Sequence, residues 1–366
     1  MRKVDSLQVG RAIAVLSIVI YHLTALSIEY QHGYFFAPWM EALRSGVDVF
    51  FVISGVVMAL TTYRKFDQPG TGSRFLIHRI SRIYPPYLLL SAILMIFWLL
   101  NPRAINQKNG GPDLLASFTL WPSINRLPLV QVGWSLSFEM MFYLVFFFFI
   151  IYVRKERLPR TLLLWSLIVI AGASLIAFKP TSVIFQSFPR AGFFLNVYVL
   201  EFVAGCFIGL AYLKRTLAGG WACICLAAGI FITEAVVFQV LSFDGNNKGM
   251  LRVLLFGPPA VLLIYGLVAS EQSRISYGAP RWLIRCGDVS YSIYLVHLLV
   301  IHAAYRYTWR VFAHAGMLPL FLIFAGGISI LFSLLFYSMI EKPLSSWTRE
   351  RIERLVNGPA RVAVAT

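Results

Sequence analysis

Charged residues are scarce in this sequence. Of its 366 residues only 13% are charged, about half the share found in a typical soluble globular domain. Hydrophobic residues make up 58%, and the mean hydropathy is +0.73. One or two ordinary cores cannot bury that much apolar surface, so the composition excludes a soluble enzyme, a disordered chain and a collagen-like chain. A polytopic membrane protein remains.

Cysteine and acidic residues are also few. The four cysteines, Cys206, Cys223, Cys225 and Cys286, lie in apolar stretches, which predicts neither a disulfide framework nor a zinc site. The 16 acidic residues are outnumbered by 32 lysines and arginines, which gives a net charge of +16. We interpret this excess as membrane topology and attraction to anionic lipid, because the sequence has no recognisable nucleic-acid-binding module.

Long apolar runs are abundant instead. A bilayer core of about 30 Å needs roughly 20 helical residues. Strand-like alternation is absent, and lipid offers no partners for open backbone groups. We therefore predict an all-α polytopic membrane protein with about ten transmembrane helices. Their approximate ranges are 7–28, 46–63, 84–100, 133–152, 160–178, 192–213, 220–241, 250–270, 288–311 and 317–340.

Lysine and arginine are unevenly distributed between the connecting segments. The segments on one side of the predicted membrane hold 21 of them, and those on the other side hold 10. The positive-inside rule then places both termini in the cytoplasm. We predict a transmembrane domain over residues 1–345 and a cytoplasmic tail over residues 346–366.

Ionisable residues inside the predicted spans are the first candidates for function, because charge is costly in hydrocarbon. Arg11 and His22 are eleven residues apart, about three helical turns, so both lie on one face of the first helix. Asp48 starts the second span and Glu139 lies in the fourth. Both are predicted near the depth of His22, in the outer half of the bilayer. A histidine with carboxylates is the minimum set for general acid–base chemistry.

Each candidate also has a structural interpretation that the sequence leaves open. Arg11 could snorkel to the interface, and Asp48 could cap a helix. His297 fits an interhelical hydrogen bond as well as it fits a chemical role. Glu201 precedes a small-residue motif, Gly205-x-x-x-Gly209, which predicts helix packing. Glu234 is assigned no role.

Two polar clusters accompany these residues. In the fourth span, Ser135, Glu139 and Tyr143 follow i, i+4, i+8 spacing and form a stripe on one helix face. Before the third span, at the predicted cytoplasmic mouth, Arg79 and Arg82 are three residues apart and share a face if that segment is helical. Arginine is suited to binding phosphate, although ordinary positive-inside charge would also explain the pair.

Taken together, these motifs resemble the membrane acyltransferase-3 family, which O-acylates bacterial glycans. The resemblance is to its exopolysaccharide and O-antigen O-acetyltransferase branch. The matching segments run along the chain in the family's order: Arg11 through His22, Gly46-Val-Asp48-Val-Phe-Phe-Val-Ile-Ser54-Gly55, Arg79-x-x-Arg82-x-Tyr84-Pro85, Trp134-Ser-Leu-Ser-Phe-Glu139, Ser290-Tyr-Ser-Ile-Tyr-Leu-Val-His297 and Glu341-Lys-Pro343.

The resemblance implies an enzyme of the bacterial inner membrane. It would move an acyl group, acetyl by default, from cytoplasmic acyl-CoA to a sugar hydroxyl of an exopolysaccharide, lipopolysaccharide or lipid-linked glycan precursor. His22 would act as general base or carry the acyl group briefly, and Asp48 or Glu139 would orient it.

Substrate binding is implied for a larger set of residues. Arg79 and Arg82 would hold the CoA phosphates, and Arg11 would steady the donor or stabilise negative charge. Acetyl-CoA is expected as a co-substrate, with no permanently bound cofactor and no metal. The other predicted substrate-binding residues are Ser54, Tyr84, Trp134, Ser135, Ser137 and His297.

Other functions remain as alternatives at this stage. Intramembrane charges also mark transport paths, so a transporter or flippase for a lipid-linked sugar is the second hypothesis. Against it, the sequence shows no inverted repeat and no paired broken helices. A purely structural scaffold is the third. The acceptor sugar, the acyl group, an acyl-histidine intermediate and the oligomeric state stay open.

Overall fold

A computed structural model describes residues 4–31, 35–102, 111–123, 126–178, 191–241, 249–273, 279–314 and 317–357. None of these residues is in a strand. The α-helices are α1 (Asp5–Gln31), α2 (Gly46–Thr62), α3 (Thr71–Leu100), α4 (Leu114–Thr119), α5 (Gly133–Tyr152), α6 (Leu158–Phe178), α7 (Ala191–Phe194), α8 (Tyr198–Lys214), α9 (Gly220–Leu241), α10 (Met250–Gln272), α11 (Arg281–Asp288), α12 (Ser290–Tyr307), α13 (Trp309–His314), α14 (Leu318–Phe336) and α15 (Lys342–Asn357).

Nine helical segments in the described part of the chain are long and apolar enough to cross a membrane. A tenth forms if α11 and α12 count as one span, since they meet at Val289 with a bend of 75°. Each of the ten predicted apolar ranges overlaps one of these spans. The chain is therefore an all-α, multi-pass membrane protein, as the sequence predicted. The cytoplasmic location of the termini stays a prediction.

Two helices extend beyond the ranges that the sequence indicated. Helix α3 begins at Thr71 rather than near residue 84, and Pro85 and Pro86 lie inside it. A proline pair usually marks a helix boundary, but membrane helices tolerate it where other groups satisfy the freed backbone. Farther along, α14 continues through a π-helical turn, Tyr337–Glu341, into α15. The predicted tail is thus helical over residues 346–357, and residues 358–366 lie outside the described part.

The chain divides into two compact units. The first unit comprises residues 1–64 and 159–333, and the second comprises residues 65–158 and 334–366. His22, Asp48 and His297 belong to the first unit. Glu139 and the arginine pair belong to the second. The candidate residues are therefore described below unit by unit.

In the first unit, helices α2 and α8 pack with their backbones in direct contact. A Cβ atom added at Gly55 would overlap the carbonyl oxygen of Phe202, and one added at Gly205 would overlap that of Val52. Only glycine permits this approach, which explains the Gly205-x-x-x-Gly209 motif as a packing feature. The contact fixes α2, and with it Asp48, against α8.

Aromatic contacts join α1 to α12 in the same unit. The buried Tyr305 hydroxyl donates a hydrogen bond to the carbonyl oxygen of Leu23 over 2.6 Å. Tyr30 stacks on the Tyr305 ring at 5.3 Å and its hydroxyl lies 3.2 Å from His302 Nδ1. These contacts sit one to two turns from the two histidines of the candidate site, so they set the separation of the helices that carry them.

In the second unit, α3 packs against α5 and α15. The ring of Phe75 contacts those of Tyr143 and Phe146 at centroid distances of 6.0 and 5.8 Å. His78 lies 3.9 Å from the Glu353 carboxylate on α15. This packing presents the basic face of α3 to the polar stripe of α5.

Candidate active site

Two histidines face each other in the first unit, His22 from α1 and His297 from α12. Their ring centroids are 5.2 Å apart and the rings are tilted by 44°. Tyr21 meets the His22 ring edge-on at 5.1 Å, and Tyr294 lies 6.0 Å from the His297 ring. His22 is half-buried, whereas His297 is 0% exposed. The His22 residue is therefore less enclosed than His297.

The two nitrogens of His297 have different environments. Nδ1 lies 2.9 Å from the carbonyl oxygen of Ile293 and 2.8 Å from that of Tyr294. A carbonyl oxygen can only accept, so Nδ1 must carry the proton. In the neutral ring Nε2 is then an acceptor, and it is buried without a hydrogen-bond partner among the described residues.

Arg11 lies on α1 three turns before His22, as the sequence predicted. It is half-buried, and its Nη1 donates to Gln8 Oε1 over 3.3 Å. The two side chains are separated by roughly 16 Å of helix rise. Arg11 therefore does not form part of the histidine pair itself, and its predicted role in holding the donor remains a proposal.

Asp48 is bonded to an arginine rather than to a histidine. Its Oδ2 accepts a hydrogen bond from Arg252 Nη2 over 2.7 Å, and both side chains are buried. Arg252 also donates to the carbonyl oxygen of Arg44 and lies against the rings of Tyr198 and Phe256. In this structure Asp48 makes no hydrogen bond to His22, because its Oδ2 is bonded to the buried Arg252 guanidinium. The predicted role of Asp48 or Glu139 in orienting His22 stays a prediction.

Glu201 and Arg252 are the residues that the sequence analysis undervalued. Glu201 is buried on α8 within electrostatic range of Asp48 and Arg252. It was interpreted through its packing motif alone, and Arg252 was counted only as loop charge. Arg252 lies in the first turn of α10, and one charge there carries no local signal of an ion pair. Its partner is 204 residues away.

In the second unit, Arg79 and Glu139 both contact Tyr143. The Arg79 guanidinium lies 5.3 Å from the Tyr143 ring centroid and 5.5 Å from that of Phe75. The Tyr143 hydroxyl donates to Glu139 Oε1. The sequence placed the arginine at the cytoplasmic mouth and the glutamate in the outer half of the membrane. In the structure both side chains contact one tyrosine. Arg79 lies within the α3 span rather than before it, because α3 begins about two turns before Arg79.

The other predicted binding residues of the second unit have mostly local partners. The Tyr84 hydroxyl donates to the carbonyl oxygen of Thr119 over 2.8 Å. Ser135 and Ser137 are buried and donate to the backbone carbonyls of Val132 and Gly133. These two hydroxyls help to complete the first turn of α5. Arg82 and Trp134 are also half-buried in this unit. The Trp134 ring lies edge-on to the Phe138 ring, with the ring centroids 6.2 Å apart.

Ser54 is the remaining predicted binding residue, and it belongs to the first unit. It is half-buried on α2, directly before Gly55, which forms the close contact with α8. In the described residues, no group of three or more histidines, cysteines, aspartates or glutamates could hold a metal ion.

The comparison with known families concerns nearly the whole chain. The acyltransferase-3 family model, described as an acyltransferase domain, matches residues 4–338. The chain belongs to this family. The match covers the motifs from Arg11 to His297, and Glu341-Lys-Pro343 lies beyond its last residue. The protein is a membrane acyltransferase by family. The geometry above is thus that of an acyltransferase-3 protein.

Individual relatives align with most of this chain. The exopolysaccharide production protein ExoZ of Rhizobium meliloti (strain 1021) is 32% identical over 333 residues, which cover 86% of this chain and 93% of ExoZ. BcsY of Komagataeibacter xylinus, provisionally named a membrane-bound transacylase, is 26% identical, covering 93% of this chain and 82% of BcsY.

A third relative carries the O-acetyltransferase name. This Staphylococcus aureus (strain COL) protein, provisionally named an O-acetyltransferase, is 24% identical over 94% of this chain and 57% of its own length. No solved structure matches this acyltransferase-3 chain.

Proposed function

We propose that this acyltransferase-3 protein is an O-acyltransferase that moves an acyl group from acyl-CoA to a sugar hydroxyl. The acceptor would be a bacterial exopolysaccharide, lipopolysaccharide or lipid-linked glycan precursor, and the enzyme would act in the inner membrane. The observation that carries the proposal is the half-buried His22 ring beside the enclosed His297. The proposed acyl transfer needs a general base, and we assign that role to His22.

The reaction requires removal of one proton and transfer of one acyl group. The hydroxyl oxygen attacks the thioester carbonyl carbon, a C–O bond forms, the C–S bond breaks and the CoA thiolate leaves. His22 takes the hydroxyl proton and returns it to the thiolate sulfur. Acyl transfer through a covalent acyl-His22 would use the same residue as nucleophile. Arg11, three turns along α1, would steady the donor.

The arginines of the second unit support acyl-CoA as the donor. Arg79 and Arg82 lie one turn apart on α3 and both are half-buried. Arg79 is fixed against Phe75 and Tyr143, so its guanidinium is pre-oriented. Guanidinium groups held in this way suit the phosphates of CoA. Tyr84, Trp134 and Ser54 are half-buried polar or aromatic side chains that we assign to the substrates, together with Glu139.

Acetyl is the proposed acyl group, by analogy with the relative named as an O-acetyltransferase, and an extracellular polysaccharide is the proposed acceptor, by analogy with ExoZ. Mass spectrometry of surface glycans from cells with and without this chain tests both at once. We expect ester-linked acyl groups only when the chain is present, and the added mass identifies the acyl group.

Variants then connect the ester groups to the site. His22→Ala should remove the acyl esters while the protein still accumulates in the membrane. His314→Ala is the matched control, because His314 is exposed on α13 and bonds only its own helix. Normal acylation by the His22→Ala variant would overturn the assignment. Movement of a lipid-linked sugar across reconstituted vesicles without acyl-CoA would instead support a transporter.

A further inference from the structure

The Nε2 atom of the buried His297 is an acceptor without a hydrogen-bond donor among the described residues. Its Nδ1 proton is committed to the carbonyl oxygens of Ile293 and Tyr294, so Nε2 keeps its lone pair free. That atom is buried and makes no hydrogen bond to any residue that the structure describes. Burying an acceptor without a partner costs free energy. A role in catalysis is one explanation for such a group.

The neighbouring ring supplies that partner. Two imidazoles joined by an N–H···N bond have centroids about 5 Å apart, from the bond length and the ring size. The His22 and His297 centroids are 5.2 Å apart. His297 is fixed by its two backbone bonds, so the His22 ring would have to rotate to direct an N–H at Nε2. Catalytic hydrogen bonds are often long without substrate and shorten in the complex.

We propose that His297 is a positioning residue that acts through His22, with its Nε2 accepting a hydrogen bond from the His22 ring. This inference rests on the proposed acyl transfer and identifies what orients the base. One nitrogen of His22 donates to His297 Nε2, which leaves the other nitrogen unprotonated and directed to the acceptor hydroxyl. His297 would thus take the orienting role that the sequence predicted for Asp48 or Glu139, of which Asp48 is bonded to Arg252.

The proton transfers of this reaction need no acid or base other than His22. The acceptor hydroxyl gives its proton to the free nitrogen of His22 as the C–O bond forms. The resulting His22 imidazolium is stabilised by its bond to His297 Nε2. The proton then passes to the CoA thiolate sulfur as the C–S bond breaks, and His22 returns to its neutral form. His297 keeps its Nδ1 proton throughout.

Two substitutions at one position separate this role from simple packing. His297→Gln keeps an amide near the position of Nε2, so an acceptor can still face His22. His297→Asn keeps an amide only near the position of Nδ1 and leaves nothing to face His22. In membranes with acyl-CoA and glycan acceptor, we expect kcat to fall by about 10- to 100-fold in the Asn variant. The Gln variant should retain most of the rate, and KM for acyl-CoA should change in neither.

Equal losses in the two variants, or a rise in KM without a fall in kcat, would overturn the inference. Membrane accumulation of both variants is measured alongside, because a folding defect would lower the amount of protein rather than the rate per molecule. If the wild-type chain transfers no acyl group, the proposed function fails and a second measurement still tests the pair.

That second measurement uses diethyl pyrocarbonate, which modifies unprotonated imidazole nitrogens and needs no substrate. Modification of His22 is followed by mass spectrometry, with exposed His314 on the same chain as the reference. We expect the rate at His22 relative to His314 to fall several-fold in His297→Asn and to be largely kept in His297→Gln. Unchanged relative rates in the Asn variant would show that His297 does not act on His22.

Discussion

The histidine pair and the Asp48–Arg252 ion pair lie in the same unit, and they use ionisable side chains in opposite ways. His22 and His297 are paired as two imidazoles, and His22 is half-buried. Asp48 and Arg252 form an ion pair, and both are enclosed. A buried charge in a membrane protein must be compensated, so each member of the second pair needs the other. We assign the chemistry to the first pair.

The sharpest test of this comparison is the loss of His22. His22→Ala should lower kcat by about 10²- to 10⁴-fold, the usual contribution of a general base. Its free energy of unfolding in mixed micelles should change little, because a half-buried ring is removed without stranding a charge. Acyl transfer is measured with labelled acyl-CoA and stability by denaturant titration. A large loss of stability would make His22 a structural residue.

Breaking the Asp48–Arg252 ion pair should instead lower the free energy of unfolding. Asp48→Asn or Arg252→Met alone strands a buried charge or polar group, at a cost of about 3–5 kcal/mol in the free energy of unfolding. The double variant Asp48→Asn with Arg252→Met should recover a large part of that loss, because the uncompensated charge is gone. Denaturant titration in mixed micelles measures both. Stable single variants that lack acyl transfer would move Asp48 into the catalytic group.

The arginine pair of the second unit should affect the donor alone. Arg79→Ala and Arg82→Ala should each raise KM for acyl-CoA by about tenfold or more, since a charge-assisted hydrogen bond contributes roughly 1.5–3 kcal/mol. The acceptor KM should stay constant. Initial rates at varied acyl-CoA and varied acceptor give the two values. An unchanged donor KM in both variants would remove the proposed phosphate contacts.

A smaller effect, on stability alone, is expected from the packing of α2 against α8 in the first unit. Gly205→Ala should destabilise the protein by about 1–3 kcal/mol, because the new methyl group overlaps the backbone of α2. Gly229→Ala is the matched control, since a Cβ there meets no atom within 4 Å. Thermal unfolding in detergent compares the two variants. Equal midpoints would show that α2 and α8 can move apart at no cost.

The smallest expected effect concerns Tyr143. Tyr143→Phe keeps an aromatic ring under Arg79 but removes the hydrogen bond to Glu139. A single hydrogen bond contributes about 0.5–1.5 kcal/mol, so we expect at most a tenfold change in KM for acyl-CoA. Tyr143→Ala, which removes the ring as well, should have the larger effect. Similar kinetics for the two variants would show that the ring does not orient Arg79.

Several features of the site were predictable from the sequence. Hydropathy located the ten spans, and helix periodicity placed Arg11 with His22 and Glu139 with Tyr143, since these pairs share one helix. The motif Gly205-x-x-x-Gly209 indicated close packing. Helix α3 was predicted too short, because Pro85 and Pro86 are helix breakers in water and are tolerated in this helix.

The amino-acid sequence by itself determined which segments are helices, which family the chain belongs to and which residues are candidates for chemistry. These are local properties, because hydropathy and helical spacing depend only on neighbouring residues. Only the tertiary structure decided the partners: Arg252 for Asp48, His297 for His22, and Tyr143 for Arg79. Partners across helices depend on how the helices pack and rotate, and buried side chains far apart in sequence set that packing together.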